Sequence, residues 1–99
     1  MKAELADYLN TQAELTVLER DLPLMPIYEI AGIIRDDWGK VNYAAEPYLE
    51  AMEALASVDD MYGADRGKSV IAYFLGNSNS WRGPIARLVK KELNKRIRA

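Results

Sequence analysis

The Gly-Lys-Ser triplet at 67–69 is the part of this sequence that comes nearest to a catalytic motif. A phosphate-binding loop needs Gly, four residues and then Gly-Lys-Ser or Gly-Lys-Thr, because that length lets successive backbone N–H groups surround the phosphates. Here only three residues separate Gly63 from Gly67, and Tyr62 occupies the position of the first glycine. The preceding segment is helical and acidic in pattern, whereas the motif must follow a buried strand. We therefore interpret the triplet as the first turn of a helix.

Few residues remain for other catalytic chemistry. The chain contains neither Cys nor His, which excludes disulfides, thiolate metal sites and the commonest general base. The acidic stretch 59–65 lacks the spacing of a calcium loop and its glutamate at the twelfth position. Asp36 and Asp37, and the glutamates between 46 and 53, have the helical spacing that is typical of a solvent-facing side. The sequence thus predicts a protein that is not an enzyme and needs no metal or other cofactor.

A polar loop at 76–84, GNSNSWRGP, contains the residue types expected of a binding surface. Trp and Arg are enriched among interface hot spots, so the candidate protein-binding residues are Asn77, Asn79, Trp81 and Arg82. The alternative is that Trp81 folds inward beside the last helix while Arg82 pairs with an acidic residue elsewhere. Packing favours this alternative, because a small domain needs its large aromatic side chains for the core.

Charge is distributed unevenly along the chain. Residues 82–99 carry seven basic side chains and one acidic one, whereas the first 81 carry six basic and fourteen acidic ones. Contact with nucleic-acid phosphates would use the basic face of the last helix, and its candidate residues are Arg87, Lys90, Lys91, Lys95 and Arg98. An overall pI near 5.1 argues against a dedicated nucleic-acid-binding protein. Basic residues near the end of a helix also complement its dipole and solubilise its surface.

Apolar spacing predicts two helices in the first part of the chain. Residues 3–20 place Leu5, Leu9, Ala13 and Val17 at four-residue intervals without internal Gly or Pro. The segment 21–26 then breaks the helix at Pro23, and Pro26 is suited to the first position of the next one. That second helix has the clearest period, and its apolar positions are Ile27, Ile30, Ala31, Ile34 and Trp38.

Three further helices follow in the pattern. One lies within 41–58 and begins either at Pro47 or after Asn42 acting as N-cap. Residues 59–67 form a loop in which Asp65 caps a fourth helix that ends at Leu75. The last helix runs from Trp81 or Pro84 to Arg98, and its apolar side consists of Ile85, Leu88, Val89, Leu93 and Ile97.

These elements predict the overall architecture. No alternating strand pattern is present, and 99 residues are enough for one core. We expect residues 1–99 to form a single all-α domain, a compact bundle of four to five short helices. The N-terminus lacks the apolar run of a signal peptide and no segment is apolar enough to cross a membrane, so we expect a cytoplasmic protein that does not associate with membranes.

The C-terminal part of the sequence has a recognisable pattern. Ala-Asp-x-Gly-Lys-Ser at 64–69 is followed by Tyr-Phe-Leu at 73–75 and Trp-Arg-Gly at 81–83. This arrangement resembles short proteins of unassigned function encoded in bacterial genomes and their phages. The resemblance implies a small accessory or host-directed binding protein and brings no activity, cofactor or site with it.

Together, these features predict a small non-enzymatic domain that binds another protein, or itself, through a helix face and the loop 76–84. The alternative function is association with nucleic acid through the basic last helix. The two predictions differ in the surface that they use, and this difference makes them separable by mutation.

Overall fold

The computed structural model of this protein describes the backbone of residues 2–99 and the side chains of residues 12–99. In the described chain the helices are α1 (Lys2–Asp21), α2 (Ile27–Asp37), α3 (Glu46–Met52), α4 (Gly67–Gly76) and α5 (Pro84–Arg98). A 3-10 turn (Leu22–Leu24) joins α1 to α2, and two short strands, β1 (Met61–Tyr62) and β2 (Asp65–Arg66), precede α4. The predicted all-α bundle is confirmed.

Helix α2 contributes a fully buried side to the core because its apolar residues recur with the helical period. Ile27, Ile30, Ala31 and Ile34 are all fully buried. Pro26 stands immediately before the helix, as its missing N–H allows. At the other end the Trp38 N–H donates to the Ile34 carbonyl at 2.8 Å. The sequence prediction for this element is therefore confirmed.

Helix α3 is shorter than the predicted segment 41–58. It begins at Glu46, with Pro47 in the first turn, and ends at Met52. Of the two predicted starts, the one at Pro47 is therefore correct to within a residue. Asn42 instead stabilises a preceding turn, in which its Oδ1 accepts the Ala44 N–H at 3.1 Å. Pro47 supplies no backbone N–H, so it fits the first turn of α3 but would break or kink a helix that ran through it from Asn42.

The segment predicted to be a loop contains a minimal β-hairpin. Met61 pairs with Arg66, and Tyr62 pairs with Asp65. The turn between them uses Gly63 at φ 61°, a region that glycine adopts without steric cost. Asp65 lies within the strand pair, so the prediction that it caps α4 is wrong, and Arg66 occupies the N-cap position without a side-chain cap.

Helices α2 to α5 surround a core that contains three aromatic rings. Trp38 and Trp81 stack with centroids 5.9 Å apart and an interplanar angle of 11°, and Phe74 meets both rings edge-on. From α5, Val89 and Leu93 are fully buried as predicted. This aromatic cluster ties the loop after α4 to the end of α2.

Helix α1 lies against the rest of the bundle through a different side from the one that its four-residue spacing indicates. Ala13 and Val17 are exposed, whereas Leu15 and Leu18 are half-buried. The side chains of Leu5 and Leu9, predicted on the same face as Val17, lie outside the described ones. None of the helices within residues 2–99 has the length and apolar character needed to cross a membrane.

Arg96 of α5 pairs with Glu92 on its own helix and also binds the 3-10 turn that follows α1. Arg96 Nε donates to Glu92 Oε2 at 2.7 Å, and Arg96 Nη2 donates to the Leu22 carbonyl at 2.7 Å. Glu92 and Arg96 are separated by one helical turn, so they interrupt the apolar side of α5 without leaving a charge unpaired. The contact fixes the C-terminal end of α1 on the bundle.

Candidate interaction surface

The Gly-Lys-Ser triplet lies at the start of α4, as predicted, and the polar groups of Gly67 and Lys68 are bound to the chain itself. The Gly67 N–H donates to the Asp60 carbonyl at 2.7 Å, and the Lys68 N–H donates to the Val58 carbonyl at 3.0 Å. Lys68 Nζ donates to the Ala99 carbonyl oxygen at 2.7 Å. A phosphate at this helix start would need the first two of these N–H groups, which point at carbonyl oxygens instead. The triplet therefore holds the loop and the C-terminal end of α5 together.

Asp60 organises the acidic loop 59–65, whose composition resembles that of a calcium-binding loop but whose spacing does not. Its Oδ2 accepts the Ala56 N–H at 2.8 Å and the Ser57 N–H at 3.1 Å. These two backbone hydrogen bonds lower the pKa of the Asp60 carboxyl below its usual range. Among the described residues, no group of three or more acidic side chains is arranged to hold a metal ion.

The glutamates of α3 surround a cation. Arg35 Nη2 lies close to Glu46 Oε1 and 2.8 Å from Glu53 Oε1. These hydrogen bonds raise the pKa of Arg35, and the bond from Arg35 holds the pKa of Glu46 below its usual range. Two of the three glutamates predicted to form a solvent face therefore connect α3 to α2. The third, Glu50, is exposed and makes no such contact.

The loop 76–84 is held by the core. Trp81 is only 2% exposed, and its Nε1 donates to Asp37 Oδ2 at 2.9 Å. Trp81 therefore folds inward, as the alternative interpretation of the sequence predicts. Asn77 Nδ2 donates to the Tyr73 carbonyl at 2.8 Å and so closes the end of α4.

Of the four predicted protein-binding residues, Asn79 and Arg82 are exposed. Arg82 makes no ion pair with an acid among residues 12–99, contrary to the prediction that accompanied a buried Trp81. Its Nε instead donates to the Asn79 carbonyl at 3.4 Å. The guanidinium group thus stays on the surface, directly after the buried tryptophan in sequence.

Lys90 of α5 holds the loop 76–84 in place. Its Nζ donates to the Ser78 carbonyl at 2.7 Å and to the Trp81 carbonyl at 2.6 Å, and it lies 5.7 Å from the centre of the Trp81 ring. Burial lowers the pKa of Lys90, and the nearby charge of Arg82 lowers it further. Lys90 therefore does not lie on the exposed basic face of α5, where the sequence predicts it.

Replacing Lys90 by methionine should lower the free energy of unfolding by about 1–3 kcal/mol, because buried carbonyls lose their charged donor. The matched control is Lys91→Met on the exposed side of the same helix, which should change stability by less than about 0.5 kcal/mol. Urea unfolding of the two variants measures the difference. Equal stabilities would show that the Lys90 hydrogen bonds do not hold the loop.

The other predicted cations of α5 are exposed. Arg87, Lys91, Lys95 and Arg98 lie at intervals of four, four and three residues, so they follow one side of the helix. None of them forms a salt bridge with a described carboxylate. The structure thus retains four of the five candidate nucleic-acid-binding residues on one surface.

A surface depression of about 340 Å³ lies between α1 and the start of α5. Leu15 and Leu18 form its wall on α1, and Pro84 and Ile85 form the wall on α5. Arg82 stands at its edge together with two carboxylates, Glu14 and Asp37. Residues 82–84 at the end of the loop and two leucines of α1 therefore meet at this depression.

Three further depressions share lining residues with the first. A depression of about 280 Å³ shares Leu15 and Pro84 with it and also includes Arg87, and the other two are more apolar. One, of about 380 Å³, shares Leu18 with it and continues along α1 past Val17 to Met25. The other, of about 210 Å³, shares Ile85 with it and reaches Ile33 on α2. We call the first depression and these two apolar neighbours together the α1 trough. Its lining is mostly apolar and includes five charged side chains: Glu14, Asp21, Asp36, Asp37 and Arg82.

Neither a protein-family model nor a curated protein or solved structure matches the chain. The resemblance to short bacterial and phage proteins therefore stays a prediction, and the functional argument rests on the geometry of the surface.

Proposed function

We propose that this protein acts by binding another protein through the α1 trough and the adjoining residue Arg82. The observation that carries the proposal is the apolar side of α1, which the bundle leaves uncovered: Val17 is 45% exposed and lines the trough together with Leu18 and Met25. Contiguous apolar surface with polar edges is typical of interaction sites on soluble domains. Single exposed apolar residues carry no such meaning, but here they line adjoining depressions.

The backbone immediately before Arg82 is fixed, which supports this role. Trp81 is buried, and Lys90 of α5 binds the Ser78 and Trp81 carbonyls, so the guanidinium group is presented from a rigid base. A rigid base reduces the entropy lost when a side chain is ordered by a partner. Arginine at the edge of an apolar channel fits the usual anatomy of an interface, in which charged side chains surround an apolar centre.

Two surface substitutions should abolish partner binding without unfolding the domain. Val17→Asp places a charge in the apolar channel, and Arg82→Glu reverses the charge at its edge. Each should reduce capture of a partner from an extract of expressing cells by about tenfold or more, a loss of about 1.4 kcal/mol of binding free energy. Quantitative mass spectrometry of the captured proteins measures the effect, and thermal unfolding confirms that each variant folds.

The matched control is Tyr43→Asp, which alters an apolar residue that is 89% exposed and lies outside the trough. It should leave capture unchanged. Loss of the same partner in all three variants, or in none of them, would contradict the assignment of binding to the trough.

Nucleic-acid binding through α5 is the second candidate function, and the exposed row of Arg87, Lys91, Lys95 and Arg98 favours it. If it is correct, the anisotropy of labelled DNA or RNA should report binding at low salt that weakens steeply as salt is raised, because phosphate contacts release counterions. Lys91→Glu combined with Lys95→Glu should abolish that binding, whereas Val17→Asp should not. No binding at low salt would eliminate this candidate.

A further inference from the structure

Helix α1 has a surface depression on each of two opposite sides. Glu14 and Asp21 line one depression, which belongs to the α1 trough, whereas Gln12 and Thr16 line the depression that contains Arg87. Successive residues of a helix are about 100° apart around its axis, so Glu14 and Asp21 point away from Gln12 and Thr16. The trough and the depression beside α5 therefore lie on opposite sides of α1.

The depression beside α5 is part of a longer groove. It shares Glu19 and Leu88 with another depression, of about 180 Å³, that continues along α5 to Lys91 and Lys95. We call these two depressions together the α1–α5 groove. Its apolar lining residues come from both helices and from the turns next to them, and they are Leu15, Leu22, Pro23, Pro84 and Leu88.

The wall of this groove on α5 is basic. Its exposed cations, none of which forms a salt bridge with a described carboxylate, are Arg87, Lys91 and Lys95. Glu19 and Glu92 also line the groove, but Glu92 is paired with Arg96 at 2.7 Å. Three cations are therefore opposed by one carboxylate, Glu19, within the described lining.

The other side of α1 has the reverse charge. Glu14 and Asp21 are the charged residues of its depression. Asp21 pairs with Arg20, but both side chains are well exposed, and an exposed pair of this kind is held only weakly. A surface with an acidic row on one side and a basic row on the other complements a copy of itself when a two-fold axis relates the two copies.

Helices α1 and α5 run side by side in the same direction. Leu15 and Pro84 line the same depression near the start of α5, and the Leu22 carbonyl accepts a hydrogen bond from Arg96 near the end of α5. A two-fold axis along the groove would therefore place α1 of each copy on α5 of the other, with residues at matching levels.

We infer that this protein pairs with a second copy of itself through the α1–α5 groove, so that α1 of each copy lies on α5 of the other. This inference rests on the proposed function, since the acidic side of α1 also lines the trough. Glu14 of one copy faces Arg87 of the second copy, and Asp21 faces Lys91. Val17 contacts the aliphatic parts of the long α5 side chains, which cover apolar surface while their charged ends stay in water.

Charge complementarity favours a second copy over nucleic acid as the occupant of this surface. Nucleic acid would contact the basic row alone, and the carboxylates of α1 would repel its phosphates. A second copy supplies the partner of each row, and the apolar lining of the two grooves meets at the axis. A net charge of only −2 leaves little overall repulsion between identical chains.

Sedimentation velocity of charge-reversed variants tests the inference. The full chain should form a dimer within the range of about 1–100 μM, which reports micromolar dissociation constants. Glu14→Lys with Asp21→Lys should raise the dissociation constant at least about tenfold, because like charges then face each other. Arg87→Glu with Lys91→Glu should do the same. An equimolar mixture of the two double variants should restore the dimer, because opposite charges again meet at every contact.

A matched control separates this pairing from general attraction between oppositely charged proteins. Glu50→Lys with Asp59→Lys changes the net charge as much as the α1 double variant does, at exposed positions outside the groove. It should remain a dimer by itself, and it should not draw Arg87→Glu with Lys91→Glu into a mixed dimer. Mixed dimers formed equally well with this control would overturn the inference, because they would show non-specific attraction.

The other outcomes distinguish this inference from the proposed function. A wild-type chain that stays monomeric up to about 100 μM would overturn the pairing, while loss of partner capture in Val17→Asp would still support the trough as a binding site for a different protein. A dimer that survives both charge reversals, or a mixture that stays monomeric, would also overturn the pairing of α1 with α5. A monomeric chain whose partner capture is unaffected by Val17→Asp would reject both proposals.

Discussion

Replacing Trp81 by alanine should lower the free energy of unfolding by about 3–5 kcal/mol, the usual cost of removing a large buried aromatic side chain. The ring stacks on Trp38 and meets Phe74 edge-on, and its indole N–H donates to Asp37. Small domains are stable by only about 5–15 kcal/mol, so this single change removes much of the stability. Thermal unfolding should show a midpoint lower by about 15 °C or more.

A second variant keeps this prediction testable if Trp81→Ala does not fold. Trp81→Phe preserves an aromatic ring in the cluster and loses the hydrogen bond to Asp37, so it should cost only about 1–3 kcal/mol. Because Trp81 lies beneath the surface, Trp81→Phe should retain partner binding. Unchanged stability in Trp81→Ala, together with loss of partner binding, would contradict the buried position and return Trp81 to the interface.

Replacing Gly67 by alanine should destabilise the domain by about 1–3 kcal/mol, as overpacking usually does. A Cβ atom at this position would lie 2.9 Å from the carbonyl oxygens of Ser57 and Val58. Both atoms belong to the backbone of the loop that the start of α4 binds, so they cannot move aside as a flexible side chain can. The loop and the helix must separate, which also strains the hydrogen bonds of Gly67 and Lys68.

Gly32 provides the matched control within the same protein. It lies in the interior of α2, is exposed, and has no atom within 4 Å of an added Cβ. Gly32→Ala should therefore stabilise the domain by up to about 1 kcal/mol, since alanine is the better helix former. Urea unfolding of both variants measures the effects. A result in which both substitutions stabilise the protein would show that α4 does not lie against the loop backbone.

The sequence predicts helices best where one periodic apolar side meets the core. Helix α2 has that property, and its four fully buried residues follow the spacing on which the prediction rests. Helix α5 starts at Pro84, one of the two predicted positions, and buries Val89 and Leu93. In both elements the local pattern and the tertiary packing agree, so a single sequence is enough to identify them.

Helix α1 shows where such reasoning fails. Its residues at four-residue intervals, Ala13 and Val17, are exposed, whereas Leu15, Leu18 and Leu22 approach the bundle. The latter three follow a spacing of three and four residues, which is also a helical period, so the sequence contains two overlapping apolar stripes. Only tertiary structure decides which stripe packs, and residues of both stripes line the trough.

The surface residues could be predicted only in part. The residue type of Arg82 indicates a binding role, but the other residues that line the trough with it come largely from α1 and α2, which lie far from it in sequence. Lys90 has the same sequence context as Lys91, and its turn inward depends on the carbonyls of Ser78 and Trp81. The acidic residues that line the trough come from two helices, so no local sequence motif identifies them.

The most direct test of the central claim is site-specific photocrosslinking from the α1 trough. A photoreactive phenylalanine analogue is incorporated in place of Val17, and separately in place of Tyr43 as an exposed control, and both proteins are irradiated in an extract of expressing cells. The account predicts that the probe at position 17 forms a discrete crosslinked species which excess unlabelled wild-type protein competes away, whereas the probe at position 43 does not. Crosslinking from position 43 alone, or from neither position while the wild-type protein still captures its partner, would contradict binding through the trough.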